Sequence, residues 1–235
     1  KLLQAAYLLS AENDKEMDRF VLDLKYLGDD PKENQDFLIQ GAADVGSQHG
    51  GSASVLPYYY ASRDVEQELL ESTLVGGVVV VSGPRVSGKT LLTRSVVGKI
   101  KDRRVYFVES GTALESTYLN KLMGLKSSVI VFDAKTIDLE LAKIIRNNVL
   151  YLRGSSTTVL CVVDSSDGVL VDALNSTRLV ALPLVQVDRK FSAKESRTVN
   201  QRFKSVRCPS FRGGRKLLDN LFNAYNVLGQ DTVIK

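Results

Sequence analysis

Residues 78–92 read VVVVSGPRVSGKTLL: four valines, a turn rich in Gly and Ser, then Lys, Thr and two leucines. An unbroken β-branched run reads as a strand buried on both faces. Gly83, Ser87 and Gly88 allow a tight loop, and GKTLLTRSVVGKIK after it has the pattern of a helix. A strand, a Gly-rich loop and a helix in that order gather backbone N–H groups around one point. The first turn of the helix adds its positive dipole end. The stretch therefore predicts an anion-binding loop at the carboxyl end of a buried strand.

Downstream, apolar strands and helices alternate. Strands are expected at 75–83, 105–110, 127–134, 157–164 and 178–185. Helices are expected at 113–125 and 137–152, with a short one beginning at Gly168. Such alternation implies right-handed crossovers and a parallel, doubly wound α/β sheet of five strands. Ligands of these sheets sit at the carboxyl ends of strands. Upstream, residues 1–27 carry apolar side chains at helical spacing, with Gly28 as a stop, and a second helix is expected at 34–43. GSQHGGSAS (46–54) has linker composition. Residues 62–74 read as a further helix, with Ser62 as N-cap and Glu66 near the positive end. The expected organisation is an acidic helical segment 1–45, a linker 46–55, a core 56–190 and a basic helical lid 191–235.

The loop matches G-x4-G-K-[ST], the Walker A pattern, and the strand before and helix after supply the context that the pattern requires. Gly83, Pro84, Arg85, Val86, Ser87, Gly88, Lys89, Thr90 and Leu91 form the candidate nucleotide-binding set. Lys89 would place a charge at the terminal phosphates, and the Thr90 hydroxyl would ligate Mg²⁺. Asp133 ends the apolar run VIVFD and is the candidate second magnesium ligand, with a strand-capping Asp as the alternative. The next residue is Ala134, where many phosphate-loop ATPases carry the glutamate that activates water. Glu109, at the end of VYFVES, is the candidate substitute, and an ordinary loop acid is the alternative. Asp164, ending VLCVVD, is a candidate γ-phosphate sensor or a helix N-cap.

A hydrophobic fraction of 44% and a charged fraction of 25% indicate a globular protein. No apolar run reaches the ~18–20 residues of a membrane span, and the acidic start is unlike a targeting peptide. The sequence lacks an initiator Met, which points to a piece of a longer protein. Cys161 and Cys208 are too few for a disulfide framework, so a soluble intracellular protein is expected. The single His49 lies in the linker. The net charge of +4 conceals an asymmetry. Residues 1–50 hold five Lys/Arg against ten Asp/Glu, and residues 188–216 hold ten against two. The two ends could face each other or separate partners, and the basic one could contact nucleic acid.

Residues 56–190 resemble the STAND and AAA+-related branch of phosphate-loop ATPases, nearest to the archaeal-ATPase-like group. The resemblance rests on SRDVEQELLESTL before the loop and on GPRVSGKTLL with Arg85 inside it. It implies five strands with the loop strand central and an extra strand between it and the Asp133 strand. It implies that Arg63 and Tyr58–Tyr60 approach adenine, and that residues 191–226 form a helical lid. ATP and Mg²⁺ are the implied ligands. The implied function is an ATP-dependent switch or assembly module with weak or partner-dependent hydrolysis. Arg202, Arg212 and Arg215 are candidate fingers toward the γ-phosphate, in the same chain or in a homo-oligomer. The DxxG and NKxD motifs of GTPases and the LSGGQ of ABC ATPases are missing from the sequence. An Arg-rich kinase lid remains an alternative. A second function class is a nucleic-acid-binding module that uses the 188–216 segment, with Phe191, Phe203 and Phe211 either stacking bases or packing the lid. An acidic protein is the other candidate partner of that segment.

Overall fold

A computed structural model describes residues 17–40, 54–108, 116–133, 136–175, 181–210, 219–220 and 223. Glu109, Ala134, Arg212, Arg215, His49 and most of the linker lie outside them.

The described chain is an α/β structure built on a five-stranded, all-parallel sheet. The strands are β3 (Gly77–Gly83), β4 (Arg104–Val108), β5 (Ser128–Phe132), β6 (Thr158–Asp164) and β7 (Leu184–Gln186), in the order β4-β5-β6-β3-β7. Side chains alternate across the sheet, and both faces are buried. Val78, Val80, Ile130, Phe132, Val159 and Cys161 face one core, against α4 (Ser116–Met123), α5 (Leu139–Asn147), α6 (Val149–Gly154) and α7 (Gly168–Asn175). Val79, Val81, Val129, Val131, Leu160 and Val162 face the other. They pack there on α2 (Glu66–Val75) and α3 (Lys89–Gly98) through Leu69, Leu92, Val96 and Val97. The valine run that looked like a strand without a polar face is one, and every residue of β3 is buried.

The expected extra strand, β6, does stand between β3 and the Asp133 strand β5. It, and not β3, takes the centre of the sheet. Gly83 pairs with Asp164 in the parallel register of β3 and β6. The helix after β3 goes to one face and the helix after β6 to the other. Adjacent strands whose outgoing helices diverge leave a crevice at their carboxyl ends.

Local expectations change in several places. Residues 17–27 are not helical throughout. A 3₁₀ turn at Asp18–Phe20 is followed by a short strand, β1 (Leu24–Tyr26). The reason is tertiary. Val21 makes an antiparallel bridge to Tyr106, and Leu22 N–H donates to Val105 O at 2.9 Å, which covers the open edge of β4. Ser54 and Val55, assigned by composition to the linker, begin β2 (Ser54–Leu56), which pairs in parallel with β1. Val55 is fully buried. Helix α1 (Pro31–Gln40) starts earlier than expected, with Pro31 in the first turn and the Asp30 carboxylate accepting from Glu33 N–H. The expected helix 137–152 is two helices, because Asn148 leaves helical geometry and donates its amide to Ile144 O. Helix α2 begins at Glu66, not after Ser62. Of the expected strand 178–185, residues 178–180 lie outside the described residues, and the strand that forms after Pro183 is Leu184–Gln186.

Helix α8 (Ala193–Ser205) falls in the expected lid, most of whose later residues lie outside the described ones. It opens with a capping box, Ser192 to Glu195. Its buried face, Val199 and Phe203, joins Leu27, Phe37, Val55 and Tyr59 in a third cluster. Acidic and basic segments therefore meet, but through apolar contact and an amide. Tyr59 lies between Phe37 and Phe203, and Gln35 donates to the carbonyls of Val206 and Arg207. Cys161 and Cys208 are both buried and unpaired. No helix among the described residues is long and apolar enough to cross a membrane.

Candidate functional site

The Gly-rich loop leaves β3 at Gly83. A Cβ there would lie 2.4 Å from Val187 O and 3.0 Å from Ser87 Oγ, so only glycine fits against the β7 connection. The loop ends at Gly88, which caps α3 with φ +85°, a left-handed geometry that glycine adopts without strain. Val86 between them also has positive φ, at 56°, and its side chain is exposed.

The loop is folded around one of its own cations. Lys89 Nζ donates to Gly83 O at 2.6 Å and to Pro84 O at 2.7 Å. Burial lowers the pKa of this ammonium, and the nearby carboxylates of Asp164 and Asp133 oppose that shift. Ser87 Oγ is buried and has no hydrogen-bond partner among the described residues. A buried hydroxyl without a partner costs about 1–3 kcal/mol. Thr90 Oγ1 donates to Asp133 Oδ1 at 2.9 Å, so the two expected magnesium ligands are already adjacent.

Arg85 through Leu91 line a cavity of about 680 Å³, closed on the opposite side by Ile137, Asp164, Ser166, Asp167 and Leu170. Asp164 extends from β6 into this wall. Its Oδ1 accepts from the Ser166 N–H at 3.0 Å and the Ser166 hydroxyl at 2.8 Å. Its Oδ2 accepts from Arg85 Nε at 3.2 Å. The Ser166 N–H first, helped by the Ser166 hydroxyl, the Lys89 charge and the Arg85 hydrogen bond, holds the Asp164 carboxyl below the usual range against the opposing effect of burial. Asp167 caps α7 through Leu170 N–H.

A second, apolar cavity of about 220 Å³ adjoins the first and shares Gly88 and Leu91 with it. Its other walls include Phe37, Tyr59, Tyr60, Phe191 and Val199. Arg63 holds this region together. Its Nη1 donates to Ser87 O at 2.8 Å, its Nη2 to Asp188 O at 3.0 Å, and its Nε pairs with Glu195 Oε1 at 2.8 Å. The guanidinium also lies 4.6 Å from the Phe191 ring centroid. Arg63 thus joins the segment before α2, the Gly-rich loop and the start of α8. The sequence signalled Arg63 only through the resemblance. Its buried partner Glu195, hidden in the basic tail, was missed. The Ser-x-x-Glu of a capping box was the available signal.

Among the candidates, the structure gathers the loop, Lys89, Thr90, Asp133 and Asp164 at one crevice. Arg202 is turned elsewhere, donating to the carbonyls of Tyr60 and Tyr58. Glu109, Arg212 and Arg215 fall outside the described residues. In comparisons with known proteins, no family model and no curated protein matched this chain.

Proposed function

We propose that this chain binds Mg-ATP across the two adjoining cavities and works as a nucleotide-dependent switch or assembly module of the STAND/AAA+-related kind. The observation that carries this reading is the cavity pair. A cavity lined by a strand-to-helix loop, Lys89 and Asp164 meets a more apolar one at Gly88 and Leu91. The triphosphate would occupy the first, taking the place of the carbonyls that now hold Lys89 and giving Ser87 Oγ an acceptor. The adenine would enter the second, against Tyr59, Tyr60 and Phe191.

Thr90 and Asp133 suit Mg²⁺, which takes few protein ligands and completes its shell with phosphate and water. No group of three His, Cys, Asp or Glu side chains placed to hold a metal occurs among the described residues, and this mode of binding needs none. When bound, the cation would neutralise phosphate charge. The protein's own contribution is to orient the triphosphate through loop N–H groups and to direct Lys89 at it. Arg63 would report the state of the loop to α8, because one guanidinium holds both Ser87 O and Glu195. Calorimetric titration with ATP, with and without Mg²⁺, tests the reading. Micromolar binding that tightens with Mg²⁺ is expected, and no binding by the folded parent chain would refute it.

A second reading has one observation behind it. Lys194, Arg197 and Lys204 recur at helical spacing on α8 and are exposed, with Arg207 just beyond. This basic stripe suits a nucleic-acid backbone or an acidic protein. Polarisation titrations with an oligonucleotide at two salt concentrations would separate it, since phosphate contacts weaken steeply with salt.

A further inference from the structure

The Gly83–Asp164 register places an acid where the crevice opens, and the chemistry of that acid conflicts with the sensor role first given to it. A group that senses the γ-phosphate directly must donate a hydrogen bond, because phosphate oxygens only accept. An ionised carboxylate also only accepts. Asp164 and a γ-phosphate can therefore share only a donor between them, such as a water molecule or a cation.

We propose that Asp164 is the catalytic carboxylate that orients and deprotonates the water attacking the γ-phosphorus. This rests on the Mg-ATP reading above. Three observations support it. First, Asp164 lines the phosphate cavity from β6, the strand between β3 and β5, so it faces the loop across the crevice. Second, its two oxygens are differently committed. Oδ1 is fixed by the Ser166 N–H and hydroxyl. Oδ2 has only Arg85 among the described residues, and the Arg85 side chain is 80% exposed. An arriving triphosphate competes for that loosely held guanidinium and leaves Oδ2 to the water. Third, the other described acids at the crevice have bonds of their own, and Glu109 lies outside the described residues. Asp133 holds the Thr90 hydroxyl, Asp167 caps α7, and the residue after Asp133 is Ala134.

The step balances without any other reactant. The water oxygen bonds to the γ-phosphorus while its proton passes to Oδ2. The bond from phosphorus to the bridging oxygen breaks, and its electron pair leaves with ADP. The proton on Asp164 then returns to solvent. Ser166 positions the carboxylate, and Arg85, once released, is free to meet phosphate charge.

The test uses the full chain with Mg-ATP and two readouts, phosphate release and fluorescence-detected nucleotide binding. Asp164→Asn and Asp164→Ala are both expected to bind nucleotide at least as well as the parent, because a negative charge beside the triphosphate is removed. Both are expected to release phosphate about 100-fold more slowly or worse, the range for a lost general base. An amide can donate to a phosphate oxygen, so a sensor role predicts that Asn keeps the rate and Ala loses it. That outcome would overturn the inference. So would a parental rate in both variants, loss of nucleotide binding in both, or a parent that binds Mg-ATP without releasing phosphate. All of these leave the Mg-ATP reading standing; only failure of the parent to bind nucleotide would remove that reading.

Discussion

Two charged regions flank the Gly-rich loop, and they are built on opposite plans. On the α2 side, Glu66 is buried and surrounded by donors: the Tyr60 and Ser62 hydroxyls and Arg63 N–H on Oε2, the Ser95 hydroxyl and Lys99 on Oε1. Its neighbour Arg63 spends its guanidinium on Ser87, Asp188 and Glu195. On the cavity side, Lys89 is held by carbonyls of its own loop, Ser87 Oγ has no partner among the described residues, and Asp164 is paired with a largely exposed arginine. The polar groups of the first region are satisfied by the protein itself. The second holds groups whose present bonds are exchangeable or absent. Buried polar groups that are fully satisfied specify a scaffold, and partly satisfied ones mark where something else binds.

The largest effect is expected from Arg63→Ala. It leaves Glu195 buried without its partner, and loss of about 3–5 kcal/mol is expected for a broken buried pair. Chemical denaturation measures it. A loss below about 1 kcal/mol would mean that the region is not satisfied in the sense argued. Arg63→Lys should recover little, since an ammonium cannot hold Ser87 O, Asp188 O and Glu195 together.

Glu66→Gln sharpens the same side and adds a pH signature. Burial by itself would raise the Glu66 carboxyl, but bonds from Lys99, Ser62, Ser95 and Tyr60 outweigh it and hold the pKa below the ordinary value. The unfolded chain then binds more protons at acid pH than the folded one, so this contribution rises with pH. It is fully present above the unfolded pKa of about 4.3 and is lost as pH falls through the lower folded value. The variant should lose about 2 kcal/mol at neutral pH and show a shallower decline of stability in acid. An unchanged acid limb would assign the pH dependence to other carboxylates.

Lys89→Ala belongs to the other side. ATP affinity should fall about 30- to 100-fold, as expected for a charge-assisted contact of roughly 2–3 kcal/mol. Stability without ligand should fall by about 1–3 kcal/mol, because the Gly83 and Pro84 carbonyls lose a charged donor while the core stays packed. Calorimetry and thermal unfolding, read together, decide it. Unchanged affinity would remove the functional half of the comparison.

Ser87→Ala gives the smallest and most discriminating effect. Removing a buried hydroxyl with no partner among the described residues should leave the ligand-free chain equally stable or about 1 kcal/mol more stable. The same change should weaken ATP binding by a few-fold. A loss of ligand-free stability instead would mean that the hydroxyl is satisfied in solution.

Much of this was legible in the chain because it is local. A run of β-branched valines bounded by glycines reads as a strand buried on both faces. Gly83 and Gly88 follow from close approach and positive φ, and Thr90 with Asp133 follows from a motif and a strand end. The errors fell where pattern and packing compete. Residues 17–27 have helical spacing, yet an open sheet edge draws Val21 and Leu22 into extended pairing. Ser54 and Val55 have linker neighbours, yet Val55 is buried against Tyr59 and Phe203 in the third cluster. Glu195, one of two acids in the basic 188–216 stretch, was not singled out, and its role depends on Arg63, far away in sequence.

The sequence alone set the strand–loop–helix unit, the alternation that makes the sheet parallel, and the residue types gathered at strand ends. These depend on side-chain period, on backbone freedom at glycine and on short-range hydrogen bonding. The strand order is of another kind. That β6 lies beside β3, that Asp164 therefore faces the loop, and that α8 is tied to Ser87 through Arg63 were decided by crossovers and long-range burial. A strand carries the pattern of its two faces but no mark of its neighbour, so only the folded sheet assigns its partners.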